Sequence, residues 1–347
     1  MGADFRKEVF PSTPIAPTWL INTSTTFVGI VGLVLALLYK FQDNMLYFPD
    51  IPGMQCHSPK DNPEGYRDPM ESGNVPYENV MIPTSDGEKI HAWLMLQKHN
   101  AANSPTLIYF HGNAGNMGFR VPNGIEMYAR CGLNILMMDY RGFGDSSGVP
   151  NEKGIEMDAD AVLKFALNHP KLVGSPIILF GRSLGGAVSI SLAHRNPGLI
   201  AAIVVENTFL SISAMVDVLL PWVSFAKNLV LRIGWDNEAR IGDLTCAMLF
   251  ISGDADELVP PPQMKKLYDL ATKSSFRDFY SILGGGHNDS FLKAGVTYYR
   301  RLRDFVSRPE VMGHRKPASA NIRDNEEIKH KNLGFGIPTM QSDFTVK

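Results

Sequence analysis

This sequence has no excess charge of one sign. Its 33 Lys and Arg stand against 35 Asp and Glu, a formal net charge of −2, so no basic surface points to nucleic acid. Cysteine is scarce and without pattern. Cys56, Cys131 and Cys246 are odd in number and far apart, which argues against a metal-spaced pair or a disulfide framework and leaves three idle thiols. No metal-ligand cluster stands out, no phosphate-binding loop matches, and no Gly-x-Gly-x-x-Gly follows a strand pattern, so no cofactor is implied. No internal repeat is visible. With 347 residues, 44% of them hydrophobic, the chain is long enough for one large core or one α/β domain with appendages.

Charge is missing altogether from Val9 to Tyr39. Within that stretch "FVGIVGLVLALLY" (27–39) is apolar apart from its glycines and the Tyr ring. As a helix it spans only about 20 Å of a hydrocarbon core about 30 Å thick. Starting at Trp19 gives 21 residues, enough to cross if 22–26 lie near one interface. Trp19 and Tyr39 then fall where aromatic belts form. A cleaved signal peptide is the rival reading, but only "YKFQDN" follows Leu38, with no small-x-small cleavage site; a buried core helix is the third. Arg6 and Lys7 before the span and Lys40 and Lys60 after it are too few to fix orientation. The sequons "NTS" (22–24) and "NDS" (288–290) are short enough to arise by chance.

Residues 49–76, rich in Pro, Gly and Asp, read as an irregular arm. "YENVMIPTSDGEKIHAWLML" gives two strands around a Ser-Asp-Gly turn. Short apolar runs then alternate with helical patterns. The strands fall near 105–110, 133–140, 176–181, 199–207, 246–253 and 276–283, and the helices near 117–130, 152–169, 184–195, 261–272 and 290–306. Continuous Ile, Leu and Val runs fit parallel strands buried on both faces. Residues 308–347 lack periodicity and read as a disordered tail.

Two serines have G-x-S-x-G spacing, Ser183 in "GRSLG" and Ser146 in "GDSSG". Ser183 directly follows a strand and opens a helix, the context of a nucleophile elbow. Gly181 and Gly185 remove side chains that the tight turn would crowd. Ser146 runs on into Val-Pro-Asn, which is turn chemistry. The bland reading of Ser183 is a small residue in a tight turn, and its partners weigh against that. A hydroxyl needs a base, and His287 lies in "LGGGHNDS", after the last strand and before the last helix. His91, His194, His314 and His330 read as structural or solvated. The acid belongs in "FISGDADELVP", where Asp256 sits three residues beyond Gly253; Asp254, as a turn or cap, and Glu257 compete. The oxyanion donors are the Leu184 N–H, at the start of a helix, and the Asn113 N–H in "HGNAGN", with Ala114 as its nearest rival. His111 reads as a brace for that loop, and Arg182 as support for the turn or lining for the site.

With these residues in place the chain resembles the α/β-hydrolase superfamily, and within it the Bem-type serine hydrolases. The likeness rests on "YKFQDNMLYFP", "YFHGNAGN", "DYRGFGDSSG", "FGRSLGGAV", "VENTFLSI", "ELVPP" with "MKKLY", and "GGGHNDS". It covers residues 39–307. It implies an α/β fold with a mostly parallel eight-stranded sheet, helices on both faces, a small helical lid at about 208–243 and an N-terminal transmembrane helix. The expected division is a flank at 1–18, an anchor at 19–39, the arm at 40–76, the hydrolase domain at 77–307 and the tail. The resemblance further implies a single-pass membrane protein of type II topology that cleaves acyl thioesters or esters, foremost a palmitoyl-protein hydrolase. Its partners would be an acylated protein or lipid and the membrane. The alternatives are a lysophospholipid or monoacylglycerol lipase and a non-catalytic scaffold. A peptidase is disfavoured, because no acidic cluster stands out to hold a peptide amine. In the lid, Ile212, Met215, Val216, Leu219, Leu220 and Val223 follow helical spacing, with Pro221 set to end the helix. Trp222, Phe225 and Trp235 add aromatic surface. That face either packs on the core or lines an acyl channel.

Overall fold

The structure, a computed structural model, describes residues 18–51 and 53–314. A single sheet organises them. Its strands are β1 (Glu78–Pro83), β2 (Lys89–Met95), β3 (Thr106–Phe110), β4 (Asn134–Met138), β5 (Ile177–Arg182), β6 (Ala202–Glu206), β7 (Ala247–Gly253) and β8 (Arg277–Ile282). Their spatial order is β1-β2-β4-β3-β5-β6-β7-β8. β1 pairs antiparallel with β2, and β2 antiparallel with β4; every other pairing is parallel.

Period-two alternation sends each strand into two cores. Leu136 and Met138 of β4 join one cluster, and Ile135 and Met137 the other. The first core takes in Ile155 and Val162 of the Glu152–Asn168 helix and Ile190 of the Leu184–Arg195 helix. The second takes in Met127 of the Val121–Cys131 helix and Tyr298 and Leu302 of the Val296–Val306 helix. Helices therefore cover both faces, as central strands buried on both sides require. All five residues of β3, β4 and β6 are buried.

Several boundaries differ from those read in the sequence. The N-terminal helix runs Thr18–Leu46, past Tyr39, and Tyr47 N–H still donates to the Asp43 carbonyl at 2.8 Å. The helical pattern at 290–306 is broken at Gly295, whose φ of 51° ends one short helix and starts the next. The first residues of the expected tail are folded. Pro309–Met312 makes a helical turn that buries Val311 completely, and the Arg308 guanidinium lies 3.6 Å from the Phe276 ring centroid. The flank at 1–17 and the tail from 315 lie outside the described residues. In the lid, Ile212–Leu219 is helical and ends just ahead of Pro221, followed by Lys227–Val230 and Asn237–Ile241. Its apolar residues divide. Met215, Val223 and Trp235 are buried, whereas Leu219, Trp222 and Phe225 face outward.

Candidate active site

The candidate residues gather beyond the carboxyl ends of β3, β5, β7 and β8, the edge where open α/β sheets place their ligands. Ser183 follows β5 directly. Its φ of 55° and ψ of −120° form a strained turn, a conformation that costs about 1–3 kcal/mol and persists only when the surroundings hold it. They do so here. A Cβ on Gly181 would collide with the Gly185 carbonyl, and one on Gly185 with the Phe110 carbonyl. Ser183 N–H donates to the Glu206 carbonyl at 2.9 Å, while the Ser183 carbonyl accepts from the Thr208 hydroxyl at 2.8 Å and from Gly186 N–H at 3.0 Å. Ser183 is 8% exposed.

Asp256 and His287 are brought into direct contact. The imidazole Nδ1 lies 2.9 Å from Asp256 Oδ2 and 3.1 Å from Oδ1. Both side chains are at most 5% exposed. Oδ1 also accepts from the Leu258 and Val259 N–H groups at 2.9 Å each. Those donors fix the face that the carboxylate turns to the ring. The two rival acids hold the loops instead. Asp254 Oδ1 accepts from Gly284 N–H at 2.6 Å, the turn role expected of it, and Glu257 Oε2 accepts from His287 N–H at 3.1 Å.

Residues around Ser183 are bonded to the histidine loop. Arg182 Nη1 donates to the Asn288 carbonyl at 3.2 Å. Asn207, at φ 46°, sends its amide Nδ2 to the Gly286 and His287 carbonyls and to the Ser290 hydroxyl, all at 3.1 Å, and accepts from Gly253 N–H at 2.8 Å. One asparagine thus ties the ends of β6 and β7 to the histidine loop. Among the described residues no hydrogen bond joins the Ser183 hydroxyl to the imidazole. Catalytic hydrogen bonds are often long before substrate binds and tighten in the complex.

The loop after β3 lies over the same edge. A Cβ placed on Gly112 would sit 4.0 Å from that of Ser183. Among the described residues neither the Asn113 nor the Leu184 N–H donates to a protein acceptor. The first belongs to that loop, and the second opens the Leu184–Arg195 helix, whose first amides lack intrahelical partners. His111 is a brace: its Nδ1 lies 2.6 Å from the Gly112 oxygen, its Nε2 3.4 Å from buried Asp139, and its carbonyl accepts from the Tyr140 hydroxyl at 2.9 Å. Ser146 is likewise consumed, donating to the Asp139 carbonyl at 2.9 Å and accepting from His91 N–H at 2.8 Å.

Sequence reasoning missed two supports. One is Glu206, fully buried behind the site, hydrogen-bonded by the Tyr298 hydroxyl and with its pKa pushed up by burial. The visible signal was an acid beside an asparagine at the end of an apolar strand, "VVEN". The other is the end of the N-terminal helix. Asn113 Nδ2 donates to the Leu46 carbonyl at 2.9 Å, Phe48 N–H to the Asn113 carbonyl at 2.8 Å, and Gly115 N–H to the Phe48 carbonyl at 2.9 Å. Arg120 Nη2 steadies the same loop through the Ala114 carbonyl at 2.8 Å.

A strand–elbow–helix turn and an Asp–His pair at the carboxyl edge of a mostly parallel eight-stranded sheet define an α/β hydrolase. The comparisons agree. A family model described as serine aminopeptidase, S33 (Hydrolase_4) matches residues 101–234. Protein Bem46 of Schizosaccharomyces pombe is 34% identical over 288 residues, covering 82% of this chain and 92% of its own. The α/β-hydrolase domain-containing protein WAV2 of Arabidopsis thaliana is 34% identical over 294 residues, 81% of this chain and 92% of its own. A Saccharomyces cerevisiae protein described as an uncharacterized membrane protein is 32% identical over 281 residues, 80% of this chain and 93% of its own. Among solved structures, the Pyrococcus furiosus esterase Pf2001 has a TM-score of 0.56 at 20% identity over 68% of this chain and 94% of its own. Est1E of Butyrivibrio proteoclasticus, solved with ferulic acid, has 0.53 at 18% over 66% and 100%; both show the fold. The chain belongs to the α/β-hydrolase superfamily, among the relatives of Bem46 and WAV2. Among the described residues one helix, at Gly29–Leu46, is long and apolar enough to cross a membrane, with mean hydropathy 1.2.

Proposed function

We propose that the protein is a membrane-anchored serine hydrolase that cleaves acyl thioesters or esters through an acyl-enzyme, foremost a palmitoyl-protein hydrolase. The observation that carries the reading is the buried Asp256–His287 pair at the same sheet edge as a serine in a strained elbow. Ser183 attacks the acyl carbonyl as His287 Nε2 takes its proton. Asp256, on Nδ1, holds the tautomer and stabilises the imidazolium. The Asn113 and Leu184 N–H groups receive the oxyanion. His287 then protonates the leaving thiolate or alkoxide. Water, deprotonated by His287, adds to the acyl-enzyme, and Ser183 leaves with its proton restored. A non-catalytic scaffold has no chemical need for this set of groups.

The N-terminal helix supports an acylated substrate, because it keeps the site near long chains. S-acylated cytosolic proteins are reachable only if residues 40–347 face the cytosol. Protease protection on intact microsomes reads this directly, and a lumenal domain moves the reading to lysophospholipids or monoacylglycerols. The core of the proposal is tested with a fluorophosphonate probe. The wild type is expected to label and Ser183→Ala not to; labelling that survives in Ser183→Ala removes the assignment.

A further inference from the structure

The lid segment Pro221–Leu231 carries two apolar stripes. Val223, Ala226 and Val230 point inward and are at most 7% exposed. Trp222, Phe225 and Leu229, one residue behind each, are 63, 86 and 80% exposed. Leu219 and Val218 extend the outer stripe. A short segment that is apolar on both faces needs a second apolar surface, since isolated large hydrophobics are ordinary but a contiguous row is not. The charges agree. Between Ser211 and Leu231 the ionisable side chains are Asp217 and Lys227, and they pair with each other, with the Ser224 hydroxyl also donating to Asp217. Leaving water therefore exposes no lone charge there.

The position of this row identifies what covers it. The lid is fastened to the end of the N-terminal helix. Gln42 Nε2 donates to the Val230 carbonyl at 3.0 Å, and its Oε1 accepts from the Arg232 and Ile233 N–H groups at 2.8 and 3.0 Å. Arg232 pairs with Asp43, and Trp235 Nε1 donates to the Tyr47 hydroxyl at 2.9 Å. On the helix, Val31, Leu35 and Leu38 are half-buried on the stripe that ends in buried Gln42, while Ile30, Leu33, Val34 and Leu37 are exposed. The outer row of the lid thus begins where a helix able to span a bilayer ends.

We propose that Leu219, Trp222, Phe225 and Leu229 enter the same bilayer leaflet as the end of the N-terminal helix, so that the lid is a second membrane contact. A Trp and a Phe suit the boundary between headgroups and chains. Anchored by the helix alone, the domain could swing. Fastened by both, it holds its lid against the lipid from which an acyl chain must arrive. That consequence rests on the hydrolase reading, whereas the contact itself rests only on the helix entering the bilayer.

The test uses the full chain with Trp19→Phe in phosphatidylcholine vesicles. The remaining tryptophans are Trp222 and the buried Trp93 and Trp235, and subtracting the Trp222→Phe signal isolates Trp222. Doxyl groups shallow on the acyl chain are expected to quench it at least twofold, and aqueous iodide to leave it unchanged. Iodide quenching without lipid quenching overturns the proposal. So does shielding from both quenchers, which would mean a second copy covers the row. Failure of the chain to float with the vesicles overturns both the contact and the helix reading. In a second arm, Phe225→Ser with Leu229→Ser is expected to slow hydrolysis of a bilayer-embedded thioester at least tenfold, leaving reaction with a soluble fluorophosphonate unchanged. If the wild type ignores the fluorophosphonate, the hydrolase reading fails while the fluorescence result still decides the contact.

Discussion

Replacing Gln42 by Ala tests whether the end of the N-terminal helix is part of the hydrolase domain. The side chain, on a residue 8% exposed, makes three bonds to the lid, to the Val230 carbonyl and the Arg232 and Ile233 amides. Each is worth about 0.5–1.5 kcal/mol net, and a buried amide left unpaired, as at Ile233, costs about 1–3 kcal/mol. Together they put the loss of lid docking at about 3 kcal/mol. Local opening then becomes about 100-fold more frequent, at about 1.4 kcal/mol per decade. Native-state hydrogen exchange of the full chain in nanodiscs reads it directly: amide protection across 231–234 is expected to fall by about two decades, while amides of β3 to β6 keep theirs. Asp43→Ala is the control. It removes only the partly exposed ion pair with Arg232, a contact worth about 1 kcal/mol or less. Protection of 231–234 in Gln42→Ala within threefold of wild type would refute the clamp.

Asn113→Ala separates backbone from side-chain chemistry. The amide already serves the Leu46 carbonyl, so the variant keeps the N–H assigned to the oxyanion, and fluorophosphonate labelling is expected to stay within about tenfold; a loss of about 10²–10³, typical of removing an oxyanion donor, would mean the side chain itself points at the site. His91 gives a pH signature. Burial lowers its pKa against the opposing pull of Asp139 and Asp145, and its Nε2 lies 2.6 Å from Asn79 Oδ1. The unfolded ring takes up a proton near pH 6.5 while the folded one resists, so stability is present above that pH and is lost as pH falls below it. Melting temperatures between pH 7.5 and 5.5 are expected to drop less in His91→Gln than in wild type, and an equal drop would remove His91 as the cause.

How much of this was legible follows from how each feature is encoded. The strands and their order of use were written locally, as apolar runs such as "TLIYF" and "NILMM" bounded by turn residues, and the parallel sheet follows from their alternation with helices. Ser183 stood out as a candidate because an elbow needs its two glycines at fixed offsets, and the candidate acid and base because both follow strands. The competition among Asp254, Asp256 and Glu257 could be resolved only as an offset from Gly253. The structure gives all three acids a use within two short loops, one facing the imidazole and two holding the backbone that presents it. The helix continues past the expected anchor for a physical reason. Hydropathy falls at Lys40, so the sequence suggests an end there, yet the next turn is polar because Gln42 and Asp43 bind the lid. A bond between residues 42 and 233 leaves no trace in local composition. The same holds for Asn207 and Glu206, whose partners Gly286, His287 and Tyr298 lie about 80–90 residues away. Polar residues set beside apolar runs mark such joints, and the partner of each emerges only once the sheet has brought its strand ends to one edge.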